Sequence, residues 1–361
     1  MGSVGRSTIG VLAAVLLMHA PTVTAPLGDP APTGAPSHGR TVAPSHNTLS
    51  CLQPVDGFTW IRGRDNDLRL DLWCQSVGRP VFESRTPARG DIAGMHILSW
   101  NVHVGAGRVE ELLPGLLEEA ARQGMGLTVL LQETFRTGDA VPESYPAIIK
   151  VPRAIRLRRP AMDVRDVAEK YGLSVAYVPS MRNGSATHVT EREDRGNAIL
   201  STQPLMDVWG IELPFGKQRR VAVSAVISGG DRGPSIRVVS AHLDTNGERV
   251  AQAAVLSERL ALLADVPLVV GGDLNSTRGE GDDAVLALAT RFPLASCGTG
   301  RTNRWPLRLD VLFPVGRLDF MFTAMETEDI VSSCGTLRHA YGSDHLPLLM
   351  TLEYQPAAGS Q

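Results

Sequence analysis

The sequence predicts a mixed α/β protein, and three observations carry that expectation. From Met95 to Tyr354, short apolar runs with strand character alternate with amphipathic helical stretches and Gly/Pro-rich loops. The chain of 361 residues, 43% hydrophobic and 20% charged, has the balance of an ordinary folded domain and not of a disordered one. Several of the apolar runs end in Asn, Asp, Glu or His, as happens where strands deliver polar groups to one edge of a sheet.

Taken in order, residues 1–25 read as a secretory signal peptide: Arg6 precedes an apolar run from Ile9 to Met18, and small residues follow at Val23 and Ala25. The run falls short of the ~20 residues of a membrane-spanning helix, so export is expected over anchoring. Pro21 and Pro26 leave the cleavage point open. Of 35 basic residues only Lys150, Lys170 and Lys217 are not Arg, a bias of GC-rich bacterial genomes, so the chain reads as a secreted bacterial protein. Residues 26–50, rich in Pro, Ala, Ser, Thr and Gly, hold too little apolar surface to offset ordering and are expected as a flexible linker.

Folding is expected to begin at Cys51. Residues 51–93 read as a small N-terminal β-element on the alternation of Leu68, Leu70 and Leu72. Four cysteines fit an oxidising compartment and allow three pairings. Cys51 with Cys74 and Cys297 with Cys334 are the expected pairs, because each brackets a short stretch able to fold as a hairpin or as neighbouring strands; four unpaired buried thiols are the alternative. No CxxC spacing is present, which argues against a zinc site.

The main domain is expected over residues 94–355, with strands at His96–Trp100, Thr128–Leu131, Ala198–Ser201, Val221–Ile227, Ile236–Ala241, Leu268–Gly271, Met321–Thr323 and Leu348–Leu352. A helix over Val109–Gln123 puts Val109, Leu112, Leu113, Leu116, Leu117 and Ala120 on one face and meets Gly124 as its C-cap. A second, from about Glu248 to Ala264, has Val250, Ala254, Leu260 and Leu263 as its buried stripe.

The strand ends deliver Asn101, Glu133, His242, Asp273 with Asn275, Asp319, and Asp344 with His345. Hard oxygen donors such as Glu133 and Asp344 suit Mg²⁺, Mn²⁺ or Ca²⁺, while a separate carboxylate can activate water and Asn or His can hold phosphoryl oxygens. Each residue also has a plain explanation: Asn101 as a loop cap, Asp273 and Asn275 as turn residues, Asp319 as a backbone acceptor. Glu133, closing a strongly apolar strand, has fewer, since a partly buried carboxylate requires a partner.

At these positions the chain resembles the endonuclease/exonuclease/phosphatase superfamily. The matching segments are His96-Ile-Leu-Ser-Trp-Asn101, Leu131-Gln-Glu133, Gly196-Asn-Ala-Ile-Leu-Ser201, Ser240-Ala-His-Leu-Asp244, Gly271-Gly-Asp-Leu-Asn275, Arg317-Leu-Asp-Phe320 and Ser343-Asp-His345, in the family's order. The resemblance implies a deoxyribonuclease-I-like fold, a four-layer α/β/β/α sandwich with a short N-terminal extension. It implies Glu133, Asp344 and Asn101 on the side of a Mg²⁺ (or Mn²⁺/Ca²⁺) ion and Asp273 at the attacking water. Asn275 and His242 would hold phosphoryl oxygens, and His345, paired with Asp319, would serve the transition state or proton transfer. His103 stands where some family nucleases carry an acid, so a second metal position is not implied.

Arg153, Arg156, Arg158 and Arg159 form the densest basic run, and Arg219 and Arg220 precede the strand at Val221. Arg156, Arg219 and Arg220 are the candidate substrate contacts, with a solvated face as the plain alternative. The resemblance implies a phosphoesterase acting on phosphodiester bonds, of nuclease type. A phosphomonoesterase, or a small-molecule or lipid phosphodiesterase, is the alternative within the superfamily, and a non-catalytic binding protein is the alternative outside it. A net charge of -3 gives no whole-molecule pull toward nucleic acid or anionic membrane, and 5% aromatic residues offer few platforms for bases. The expected partner is a phosphate-ester substrate, nucleic acid among the candidates, for a monomer with no stable protein partner.

Overall fold

Alternate residues of the long apolar runs face opposite ways, and in this protein both directions are buried. Val221, Val223, Ala225 and Ile227 enter one core while Ala222 enters another; Ile236 and Val238 part in the same way from Val239 and Ala241. Such strands belong in sheets covered on both faces. The computed structural model describes residues 50–62, 68–85, 91–149, 151, 162–183, 192–231, 233–263, 265–276, 278–297, 301–303, 317–325 and 330–355. The expected signal peptide lies outside the described residues, and so does the linker apart from Ser50.

The first elements are β1 (Phe58–Ile61), α1 (Leu68–Ser76), β2 (Val81–Glu83), β3 (Gly94–Asn101), α2 (Val109–Gln123), β4 (Gly126–Thr137), α3 (Val164–Tyr171), β5 (Ser174–Arg182) and β6 (Glu193–Ser201). There follow β7 (Leu205–Glu212), β8 (Val221–Ile227), β9 (Ile236–His242), α4 (Glu248–Ala261), β10 (Leu268–Asp273), α5 (Asp283–Ala289), β11 (Asp319–Ala324), β12 (Ile330–Thr336) and β13 (Leu348–Tyr354). Hydrogen bonding orders the described strands into one sheet, β1-β7-β8-β9-β10-β11, and another, β12-β13-β3-β4-β6-β5-β2.

One core lies between the sheets, uniting Ile97, Leu130, Ile199 and Met350 with Val223, Val238, Val269 and Met321. A second packs α2 and α3 on the outer face of the seven-stranded sheet through Leu112, Leu113, Val164 and Val167. A third packs α4 and α5 on the outer face of the six-stranded sheet through Leu256, Leu260, Val285 and Leu288. The layers therefore run α/β/β/α, as expected. The sheets approach closely beneath one end of β3 and β10: a Cβ on Gly271 would stand 2.8 Å from both Cβ and Oγ of Ser99.

Helix α2 has the expected bounds and ends at Gly124 in the left-handed conformation (φ 67°). Its internal Pro114 removes the N–H that the Glu110 carbonyl needs, and the Tyr171 hydroxyl donates to that carbonyl at 3.4 Å instead. Helix α4 ends at Ala261, and its buried stripe is Gln252, Ala253, Leu256, Ser257 and Leu260; the expected Ala254 is exposed. The rotation follows from Gln252, whose side chain accepts from Asp244 N at 2.8 Å and donates to the Pro214 carbonyl at 2.8 Å.

The N-terminal segment differs more from expectation. The Leu68–Leu72 stretch is helical, because burial of Leu70, Trp73 and Cys74 follows the helical period whereas Leu68 is exposed. Strand β1 pairs with β7 in one sheet and β2 with β5 in the other, so the segment clasps both sheets. Disulfides join Cys51 to Cys74 and Cys297 to Cys334, the expected pairs. Among the described residues no helix is long and apolar enough to cross a membrane.

Candidate active site

Register brings the polar residues together. In the parallel pair β9–β10, His242 lies opposite Asp273, and in the antiparallel pair β10–β11, Asp273 lies opposite Asp319. From the other sheet, β3 ends at Asn101 beside Gln132 of β4. The ladder between β4 and β6 is irregular between Leu131 and Thr134, and there Glu133 adopts φ 54°. An extra residue at such a break re-aims a side chain that strict alternation would turn elsewhere.

Asp273 is the centre. Its Oδ2 accepts from Asn101 Nδ2 at 2.8 Å and its Oδ1 from the Asn275 backbone N–H at 2.8 Å. Asn275, at φ 49°, donates through Nδ2 to the Leu243 carbonyl at 2.9 Å and stands 3.1 Å from His242 Nε2. An amide nitrogen only donates, so Nε2 accepts and the His242 proton sits on Nδ1. Both Nδ2 hydrogens are thereby engaged inside the protein, and in this arrangement Asn275 orients His242.

His345 Nδ1 lies 2.8 Å from Asp319 Oδ2, while its Nε2 faces Asp273 Oδ2 at 3.7 Å and Asp344 Oδ1 at 3.8 Å. Ser343 fastens this loop: its hydroxyl donates to the Asn101 carbonyl at 2.7 Å and accepts from His345 N at 3.0 Å. Trp100 Nε1 adds a bond to the His345 carbonyl at 3.1 Å.

The electrostatics divide the histidines. Burial, reinforced by Arg220, Arg195 and His345, holds the His242 pKa well below its ordinary value, so it is neutral at neutral pH. Burial also opposes charge on His345, but Asp319, Asp273 and Asp344 outweigh it and raise the pKa to about 10. Asp273 is pushed up to about 7, by burial first and then by Asp319, against the opposing pull of His345 and the hydrogen bonds from Asn275 and Asn101.

Two groupings bear on a metal. Ligand atoms of Asp273, Asp319 and His345 lie within 4.8 Å of one another. A cationic imidazole held by Asp319 is a poor ligand, however, so this grouping suits proton chemistry better. On the opposite side Glu133 has its nearest charged partners, Arg195 and His242, at 3.7 and 3.8 Å, beyond hydrogen-bond length. Its oxygens, without a hydrogen-bond partner among the described residues, together with Asp344 and the side-chain Oδ1 of Asn101, are the donor chemistry a hard divalent cation takes. His103 contacts Asp344 through Nδ1 and occupies the ground where a further acid could stand.

Of the candidate substrate contacts, Arg219 is a correction. It is fully buried, forks onto Glu212 at 2.8 and 2.7 Å and donates to the Pro179 and Ser180 carbonyls, so it fixes the β7–β8 connection and does not face the site. Arg220 turns the other way, into the field of Glu133 and Asp273, buried with its Nε lacking an acceptor among the described residues. Arg156 lies outside the described residues. Arg195, Ser343 and Trp100 carry no assigned role in the sequence reading, although Trp100 and Ser343 lie inside matching segments, His96–Asn101 and Ser343–His345, and Arg195 directly precedes another, Gly196–Ser201.

The profile of the Endonuclease/Exonuclease/phosphatase family matches residues 98–345. Among solved structures, the catalytic domain of human Nocturnin with bound sulfate is similar at 15% identity and a TM-score of 0.47, covering 76% of this chain and 98% of that one. An endonuclease/exonuclease/phosphatase from Beutenbergia cavernae is similar at 19% identity and a TM-score of 0.48, covering 73% of this chain and 72% of the other. An AP endonuclease from Archaeoglobus fulgidus is similar at 16% identity and a TM-score of 0.43, covering 71% and 98%. A search of curated proteins found no match.

Proposed function

The chain belongs to the endonuclease/exonuclease/phosphatase family, whose members hydrolyse phosphate esters, and from that premise we propose that it is a secreted, divalent-metal-dependent phosphodiesterase of nuclease type. The observation that carries the reading is the buried Asp273, held by Asn101 and the Asn275 backbone and raised to a pKa of about 7. A general base works best when its pKa lies near the working pH. Asp273 takes the proton of the attacking water as that water's oxygen bonds to phosphorus. The His345 imidazolium, kept charged by Asp319, faces the same space and stabilises the negative charge that develops, or protonates the departing oxygen. Arg220 and the Nδ1–H of His242 hold non-bridging oxygens. Glu133 and Asp344, with Asn101, would hold a Mg²⁺, Mn²⁺ or Ca²⁺ ion, which when bound neutralises charge on the phosphoryl group and leaving group.

A phosphomonoester is the second reading. Arg220, buried with a donor unused among the described residues, suits a phosphate that carries one more negative charge than a diester. Export is supported by the apolar run at Ile9–Met18 and by two disulfides, and N-terminal sequencing of protein from the culture medium tests it.

The deciding assay uses protein lacking residues 1–25 on plasmid DNA, RNA, sphingomyelin and a panel of phosphomonoesters, with Mg²⁺ or EDTA. Metal-dependent cleavage that Asp273→Ala abolishes establishes the reading and chooses the substrate. No hydrolysis with any divalent metal would leave the scaffold as a binding protein.

A further inference from the structure

Asp319 is weakly aimed by its own side chain. One carboxylate oxygen, Oδ2, meets His345; the other, Oδ1, is buried with no hydrogen-bond partner among the described residues. Its direction is therefore set through the backbone at the start of β11, where Arg317 Nε donates to the Asp319 carbonyl at 3.2 Å, Leu274 N donates to the Leu318 carbonyl at 3.0 Å, and Thr302 engages both amide N–H groups. The Thr302 hydroxyl, fully buried, accepts from both Leu318 N and Asp319 N at 3.0 Å. The Thr302 carbonyl accepts from Leu346 N at 2.6 Å, and the next residue, Asn303, bridges to His345. The strand carrying the aspartate and the loop carrying the histidine are separated by β12, and one residue holds both.

We propose that Thr302 is a positioning residue for the Asp319–His345 pair, its hydroxyl setting the aspartate and its carbonyl setting the histidine loop so that the two meet at 2.8 Å. The proposal rests on the phosphoesterase reading only for its kinetic consequence. Replacing the hydroxyl by a methyl leaves two buried N–H groups without an acceptor, and relief of that cost moves the start of β11. A catalytic pair displaced by a fraction of an ångström to an ångström loses turnover more than affinity, on the order of a hundredfold.

The test compares the full chain with Thr302→Val, which keeps the shape and removes the acceptor, and Thr302→Ser, which keeps the acceptor. Two quantities are read: kcat and KM on whichever phosphoester the chain cleaves, and the downfield proton signal of the imidazole N–H facing Asp319 in ¹⁵N-histidine-labelled protein, assigned by its loss in His345→Gln. Thr302→Val is expected to lower kcat about a hundredfold with KM changed less than about threefold. It is also expected to shift or broaden the N–H signal, and Thr302→Ser is expected to restore both. An unchanged signal in Thr302→Val, or an equal loss in Thr302→Val and Thr302→Ser, overturns the clamp. If Thr302→Val does not fold by circular dichroism, Thr302→Ala is read by the same signal against Thr302→Ser. A wild-type chain without turnover, in which the signal still depends on the Thr302 hydroxyl, would sink the phosphoesterase reading and sustain the clamp.

Discussion

Asp273 and His345 face each other across 3.7 Å, and the proposed mechanism gives them opposite requirements: one ionised to accept a proton, the other protonated to stabilise charge. Activity should therefore rise with pH as Asp273 ionises through about 7 and fall as His345 loses its proton through about 10. A kcat/KM profile between pH 5 and 11 checks both limbs. Replacing Asp273 by Asn should lower kcat about a thousandfold and leave thermal stability unimpaired, because the amide removes a costly buried carboxylate. The same pKa values give a stability expectation. The folded-state pKa of His345 lies above its unfolded value, so its ion pair contributes fully below about pH 6.5 and is lost as pH rises through about 10. Adjacent arginines show what residue-level reading of a sequence leaves undecided. Arg219 and Arg220 are alike as letters, yet alternation sends one into Glu212 and the other toward Glu133. Arg220→Ala should raise KM at nearly constant melting temperature. Arg219→Ala should cost stability, about 3 kcal/mol or more, because it strands the buried Glu212 carboxylate. Differential scanning calorimetry beside steady-state kinetics separates the two.

At the scale of elements, the strands and α2 were legible because their patterning is strong: continuous apolar runs for strands covered on both faces, and a clear helical stripe closed by Gly124. The N-terminal segment was not. Three leucines at alternating positions fit a strand, and only contacts made by Trp73 and Cys74 decide for a helix. The break in β4 was also hidden, since the φ 54° at Glu133 comes from the mismatch between two partner strands and not from local propensity. The Cys51–Cys74 bond encloses β1 and fastens the residues before it to α1, the helix that joins β1 on one sheet to β2 on the other. Its closed loop spans a sequence separation of 23, for which chain entropy gives a stabilisation of about 3 kcal/mol. A Cys51→Ser, Cys74→Ser double variant should show that loss in a urea unfolding curve; a midpoint unchanged at equal slope would mean the segment is held by packing alone.

For the whole molecule, the candidate site residues were readable as a set because family motifs sit on strand ends, whereas the distances among them depend on how two sheets meet. Asn101, Glu133 and His345 arrive from the seven-stranded sheet and the loop before β13, and His242, Asp273 and Asp319 from the six-stranded one. Ser343 stands in a matching segment but its bracing role does not show there, and Thr302 carries no pattern of its own, so only assembled coordinates reveal what the two hold. Gly271 sets the approach of the sheets next to the site. Gly271→Ala should force them apart, lowering turnover and stability together, since a Cβ there meets Ser99 at 2.8 Å. A site divided across such a seam has a thermal fate distinct from that of its scaffold. Each sheet can keep its hydrogen-bond ladders while the gap between them widens, and widening alone is enough to part a proton donor from its acceptor. On heating, catalysis should fade several degrees before far-ultraviolet circular dichroism records any loss of strand, so the enzyme would be silenced by loosening well before it is unfolded.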